Sequence, residues 1–359
     1  MKRLVYVVFY ILVLISLLFA DKYEEAGYYD SIGKDTVQCG LCPFRCVLKP
    51  EESGHCRSRK NIGGKLFALS YNNLCAVHID PIEKKPFFHF LPETTAFSVA
   101  AAGCNMRCKF CQNWQISQTT PLNTINSHYT PEECAALAKK MGCDAIAYTY
   151  TEPTNFYEYM YDTARLAKKA GIKNVYHSNG YINEKPLREL CRYLDAANID
   201  LKGFTEEYYR DVCEADLETV LNTLKILKEE GVWLEITTLV VPGYNDDPDN
   251  LKEMFRWVKN NLGPDVPLHL SRFQPMYKLK NVSPTPLETL EKLYDIAKEE
   301  GINYVYVGNV PGNEKEDTYC PNCGKKIIDR AGYTISQFLI SDDAQCRFCN
   351  HKIAGIWRK

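Results

Sequence analysis

Cys104, Cys108 and Cys111 form a C-x₃-C-x₂-C run within Gly103-Cys104-Asn105-Met106-Arg107-Cys108-Lys109-Phe110-Cys111-Gln112-Asn113-Trp114. A short apolar segment, Ala96 to Ala102, precedes them, so the three thiols sit on one loop after a strand. Three thiolates can hold three irons of a cubane 4Fe–4S cluster and leave the fourth iron without a protein ligand. A catalytic metal site keeps such an open position, and a structural site closes it. The plainer readings are three buried free thiols or part of a zinc site, but no fourth ligand follows nearby to complete a zinc tetrahedron.

Two other cysteine groups carry metal-ligand spacing. Near the carboxyl end, Cys320-Pro321-Asn322-Cys323 and Cys346-Arg347-Phe348-Cys349 form two C-x₂-C knuckles. Four thiolates close a tetrahedral site, which reads as a structural zinc ribbon, with a rubredoxin-like iron site as the alternative. Lys325 and Arg347 would offset part of its negative charge. Near the start, Cys39, Cys42, Cys46 and Cys56 follow the pattern C-x₂-C-x₃-C-x₉-C. These four imply a metal or a cluster, and zinc and an auxiliary 4Fe–4S cluster are both open. His55 could replace a thiolate, but the simpler reading gives it no such role. Cys75, Cys134, Cys143, Cys191 and Cys213 are scattered and read as buried, unliganded thiols.

The elements that would position these groups alternate along the chain. Expected strands are Phe97–Ala101, Ala145–Thr149, Asn174–Ser178, Asn198–Leu201, Trp233–Val240, Leu268–Phe273 and Tyr304–Val307. Between them lie helix-like stretches, Pro131–Met141, Asn155–Ala170, Glu184–Leu194, Leu217–Glu230, Pro248–Asn261 and Pro286–Glu300. Gly142, Gly171, Gly231 and Gly301 supply stop signals. Such alternation predicts an α/β fold whose parallel sheet has right-handed crossovers, a partial (βα)6-type barrel. A full eight-unit barrel and an open sheet fit the same pattern. Active-site groups belong at the carboxyl ends of its strands. Polar residues gather there: Glu152 after the second strand, His177 and Asn179 at the third, Asp200 and Lys202 at the fourth, Thr237 on the fifth, His269 and Arg272 on the sixth. Singly each has a dull explanation, a helix cap for Glu152 or a surface ion pair for Asp200 and Lys202. Together on one rim beside the cysteine loop they read as a site.

The chain has 359 residues, 45% hydrophobic and 25% charged, enough for one large core and unlike a disordered protein. A formal charge of −2 gives no reason to expect nucleic acid as a partner. The expected organisation is a signal-like or membrane-anchor segment at 1–20, a linker at 21–38 and a cysteine-rich metal-binding module at 39–90. A catalytic core at 91–312 and the ribbon-like module at 313–359 follow. Leu4 to Ala20 carry no charge and follow Lys2-Arg3, which suggests export or membrane attachment through residues 4–20. A low-potential cluster favours the cytoplasm instead, so the location stays open.

Longer strings extend the pattern. Asp80-Pro81-Ile82-Glu83-Lys84-Lys85-Pro86-Phe87-Phe88-His89-Phe90, Tyr148-Thr149-Tyr150-Thr151-Glu152-Pro153 and Tyr304-Val305-Tyr306-Val307-Gly308-Asn309-Val310 flank the cysteine loop in order. With Phe110 before the last loop cysteine, the loop resembles that of the radical SAM superfamily. The combined motifs, over roughly residues 36 to 359, resemble the radical SAM enzymes of the AmmeMemoRadiSam system, relatives of the pyruvate formate-lyase activating enzymes. The resemblance implies that Cys104, Cys108 and Cys111 bind a 4Fe–4S cluster whose open iron takes S-adenosylmethionine. One electron then cleaves the sulfonium bond and releases a 5′-deoxyadenosyl radical. It also implies that Glu152 meets the cofactor's amino group, that Asn179 lies near its ribose or carboxylate, and that Asp200 and Lys202 sit beside the cofactor or the substrate backbone. His269 and Arg272 would face substrate.

Two departures bear on substrate. Tyr150-Thr151 replaces the glycine pair of the activating enzymes, and no ferredoxin-like cysteine insert lies between Cys111 and Tyr148. Glu93 also stands where relatives carry glycine, so a different turn is expected before the first strand. The leading expectation is reductive cleavage of S-adenosylmethionine and attack on an unidentified substrate, with a ferredoxin or flavodoxin as electron donor and a protein as one possible substrate. The alternatives are a glycyl-radical activase and a non-catalytic iron–sulfur carrier or scaffold.

Overall fold

The computed structural model describes residues 23–357. Seven parallel strands run in sequence: β1 (Thr95–Ala101), β2 (Ala145–Tyr148), β3 (Lys173–Ser178), β4 (Ala196–Asp200), β5 (Trp233–Val240), β6 (Leu268–Arg272) and β7 (Val305–Gly308). They alternate with helices α1 (Pro131–Lys140), α2 (Tyr157–Lys169), α3 (Glu184–Cys191), α4 (Leu217–Glu229), α5 (Pro248–Leu262) and α6 (Leu287–Glu299). Each strand pairs in parallel with the next, so the crossovers all advance in one direction across the sheet. Right-handed crossovers that never reverse put the helices on one face and leave the other lining an interior. The pattern is that of an open, six-crossover barrel, and strand and helix bounds fall within a few residues of those read from sequence.

Local chemistry explains the boundaries. Thr130 and Glu133 form a reciprocal capping box at the start of α1, and Asp216 and Asp247 cap α4 and α5. Gly142, Gly171, Gly231 and Gly301 all lie at φ between 70° and 91°, the left-handed conformation that closes a helix. β2 is buried at every position, as expected of a strand covered on both faces.

Two features depart from the sequence reading. Residues 21–38 were expected to be a linker, yet Glu24–Glu25, Tyr29–Gly33 and Thr36–Cys39 are strands. Glu24–Glu25 pairs with Lys65–Ala68, because Tyr23, Ala26 and Val37 are buried apolar anchors among polar neighbours. An additional strand, Leu74–Pro81, pairs antiparallel with β1 and closes that edge of the sheet. At the turn before β1, Glu93 adopts φ 64°, a left-handed conformation, with its N–H on Glu83 Oε1 at 2.7 Å. The hydrophobic segment at residues 4–20 lies outside the described residues. Among those described, no helix is long and apolar enough to cross a membrane.

An open barrel needs a filler for its interior, and the segment Pro86–Phe90 supplies it. Buried Glu235 on β5 receives the N–H groups of Phe88 (3.0 Å) and His89 (2.9 Å), the Trp233 indole (3.2 Å) and His269 Nε2 (2.7 Å). Phe88 then packs edge-on against His269 and Tyr306, each 4.8 Å between centroids. Burial opposes ionisation of Glu235, but His269 and His89 hold its carboxyl below the ordinary value. This stabilisation is therefore present at neutral pH and is lost on acidification below the ordinary glutamate range. Glu235→Ala strands these donors, and urea unfolding should show a loss of about 3–5 kcal/mol. An unchanged midpoint would remove Glu235 from this role.

Candidate active site

The carboxyl ends of the strands surround a cavity of about 940 Å³. Cys104, Cys108 and Cys111 line one wall, on the loop that follows β1. Glu152, Asn179, Asp200, Lys202 and His269 line the others, so the structure brings together all but one of the residues expected at the site. Arg272 stands apart: its Nε donates to the Thr285 carbonyl at 2.8 Å, because β6 ends by packing on that turn.

The cysteine loop is held from several sides. Asn105 donates to the Tyr181 carbonyl at 2.6 Å, and Asn179 Nδ2 donates to Asn105 Oδ1 at 2.9 Å and to Cys104 Sγ at 3.7 Å. Asn179 thus meets the cysteine loop. Met106 N–H points at Cys104 Sγ (3.3 Å), and Ser117 Oγ lies 3.2 Å from Cys111 Sγ. Cys213, read from sequence as an idle thiol, lies close enough to Cys108 to push its thiol up, together with burial. Gly103 permits this seating: at φ 110°, a Cβ there would lie 2.4 Å from Asn155 Nδ2 and 2.6 Å from the Cys56 carbonyl. Three thiols at one cavity wall, with N–H or O–H groups at the sulfurs of Cys104 and Cys111, suit ligation of a cluster through three irons.

Glu152 follows β2 and is buried. Its oxygens accept from Thr154 N–H (2.9 Å), Ser178 Oγ (2.8 Å) and Asn179 N–H (2.8 Å). Burial pushes its carboxyl above the ordinary value, against these hydrogen bonds. The helix-capping explanation is also true, since Glu152 accepts from Thr154 N–H at the start of a short turn. The chain reaches Glu152 through Tyr150, whose φ of 63° is rare for a bulky residue. Asn113 holds the Tyr150 carbonyl at 2.6 Å, and the Tyr150 hydroxyl donates to Asp80. A tyrosine here adopts a conformation that glycine takes freely.

A second charged group sits across the cavity. Lys202 Nζ is 2.7 Å from Asp200, and His177 Nε2 is 3.2 Å from the same carboxylate. Burial opposes charge on both members. Lys202 and His177 nevertheless hold Asp200 well below the usual carboxylate range, and Asp200 holds Lys202 charged. Lys85, which sequence reasoning left without a role, lines the cavity while its ammonium contacts Asp80 at 2.6 Å. Burial pulls it down to about 8, against that partner. Glu316 and Tyr333, from the carboxyl-terminal segment, complete the rim; no local motif could have placed them there.

Outside the cavity, Cys320, Cys323, Cys346 and Cys349 bring all four sulfurs within 4.8 Å of one another. Cys320 and Cys349 are 3.6 Å apart, and Cys323 and Cys346 are 3.8 Å apart. A metal–sulfur bond of about 2.3 Å in a tetrahedron requires sulfurs about 3.8 Å apart, so this group suits one tetrahedral ion.

The radical SAM superfamily model matches residues 99–258, which span β1 to α5 and include the three loop cysteines. The chain is 48% identical over 333 residues to an uncharacterized protein of Methanocaldococcus jannaschii, covering 92% of this chain and 98% of that protein. It is 26% identical over 213 residues to the pyruvate formate-lyase 1-activating enzyme of Escherichia coli K12, covering 55% of this chain and 87% of the enzyme. Among solved structures, a radical SAM methyltransferase from Sphaerobacter thermophilus aligns with a TM-score of 0.48 at 16% identity, over 66% of this chain and 71% of that one. The chain carries a radical SAM superfamily domain over residues 99–258 and is homologous to the pyruvate formate-lyase activating enzymes.

Proposed function

We propose that this protein reductively cleaves S-adenosylmethionine at a 4Fe–4S cluster held by Cys104, Cys108 and Cys111, and that the resulting radical acts on a substrate in the same cavity. The carrying observation is the convergence of the three-cysteine loop with Glu152, Asp200 and Lys202 around one cavity. The bound cluster and cofactor supply the one-electron chemistry, with a ferredoxin or flavodoxin as the donor class. The chain's own residues position the reactants. Glu152 Oε2, which accepts one backbone N–H, has capacity to receive a cationic amino group. Lys202, whose charge Asp200 balances, keeps ammonium N–H donors that can reach a carboxylate or phosphate-like group. His269, on Glu235 and facing the cavity, is the residue we assign to substrate contact. The motif order supports membership in the AmmeMemoRadiSam group, and Tyr150-Thr151 in place of a glycine pair argues against a glycyl-radical partner. The carboxyl-terminal cysteines are assigned zinc in a ribbon-like module.

After anaerobic reconstitution, dithionite and S-adenosylmethionine should yield 5′-deoxyadenosine and methionine, and Cys108→Ala should abolish both. Equal product from the two proteins would defeat the assignment. Glu152→Gln should keep the iron content and weaken S-adenosylmethionine binding about tenfold in equilibrium dialysis, a loss of about 1.4 kcal/mol. Unchanged affinity would confine Glu152 to its capping role. Metal analysis should find about one zinc per chain, lost in Cys346→Ser, as expected of a closed tetrathiolate site.

A further inference from the structure

The amino-terminal cysteines leave a choice between one zinc ion and a cluster, and their geometry differs from that of the carboxyl-terminal group. Cys39, Cys42, Cys46 and Cys56 line one small cavity together with Asn105 of the catalytic loop. Among the described residues, no three of these sulfurs close to mutual distances of 4.8 Å, and neither do those of Cys104, Cys108 and Cys111. Sulfurs on a single ion must crowd to about 3.8 Å, as at Cys320–Cys349, whereas a cubane holds each thiolate on a different iron and so farther apart.

The surroundings suit a cluster's anionic thiolates. His55 N–H points at Cys46 Sγ (3.4 Å), Ser58 Oγ at Cys56 Sγ (3.4 Å) and Arg59 Nη1 at Cys39 Sγ (3.5 Å). Arg59 is 1% exposed and Ser58 is fully buried, so these donors are built into the fold and not borrowed from the surface. His55 Nε2 and Asn155 Oδ1 belong to residues lining this cavity, and both are buried without a hydrogen-bond partner among the described residues. The group is also locked to the catalytic loop. The Cys56 carbonyl packs against Gly103, the Arg107 guanidinium reaches the His55 carbonyl, and Asn105, next to Cys104 in the chain, lines the amino-terminal cavity.

We propose that Cys39, Cys42, Cys46 and Cys56 ligate a second 4Fe–4S cluster, bound by four thiolates and seated against the loop that carries the catalytic cysteines. With no open iron, this cluster has no position for S-adenosylmethionine or substrate. The inference stands apart from the proposed S-adenosylmethionine chemistry and is read without it. In anaerobically purified full-length protein, a Cys104→Ala/Cys108→Ala/Cys111→Ala variant should retain about four iron and four sulfide per chain, with a cubane Mössbauer signature. A Cys42→Ala/Cys46→Ala variant should lose that same complement and keep its carboxyl-terminal zinc. An iron-free triple variant carrying a second zinc would overturn the proposal. Should the double variant not fold, the reduced wild-type protein decides: it should hold about eight iron and eight sulfide per chain and show two cluster EPR signals. A single cluster signal with about four irons in total would refute the second site.

Discussion

A parallel sheet that curls without closing leaves an apolar interior exposed on one side, and the buried carboxylate of Glu235 anchors the filler. It fixes the backbone N–H groups of Phe88 and His89 inside the curve of the sheet, 147 and 146 residues away in sequence. From there the interactions continue outward. His89 contacts the Tyr306 hydroxyl and the Ala354 carbonyl, Tyr306 meets Thr318, and Arg330 donates to Phe88 and Thr318. One satisfied buried charge thereby sets where the carboxyl-terminal segment sits, and with it where Glu316 and Tyr333 meet the cavity.

Two buried carboxylates illustrate how similar chemistry is put to different use. Glu235 lies beside an imidazole and indole at the filler, with its charge stabilised below the ordinary range. Glu152 faces the cavity, where burial dominates and pushes its carboxyl up. A carboxylate held by few neutral donors in a desolvated wall gains most from an arriving cation, because that cation replaces interactions lost to water. Asp200 lacks this capacity, since Lys202 and His177 already compensate it. The cavity therefore presents one carboxylate ready for a cation and one ion pair that keeps its own balance.

The cysteine groups divide by sulfur spacing. The carboxyl-terminal four are already gathered to the dimensions of one ion, at a point remote in sequence from the Cys104–Cys111 loop. The three on the Cys104–Cys111 loop stay more widely set, and the loop is held by Asn105, Asn179 and Ser117. Holding ligands apart with a hydrogen-bonded frame favours a larger guest over a single ion.

The order of strands and helices was legible from the sequence because buried strands and amphipathic helices have different periods, and each helix end carries its own cap or glycine. The site residues at the ends of β2, β3 and β4 were legible for the same reason: once strand direction is known, their rim is known. Arg272 was misplaced because a residue at a strand end can turn toward a neighbouring loop, and only the position of Thr285 shows that it does. Glu235, Lys85 and Cys213 gave no local signal. Their partners lie on distant segments, and a buried polar group is defined by those partners, not by its neighbours in the chain. The residue types and their spacing thus determined which chemistry the loop can hold. Tertiary packing alone decided how far apart the sulfurs stand and which charges face the cavity, because both depend on contacts between segments that no periodicity relates.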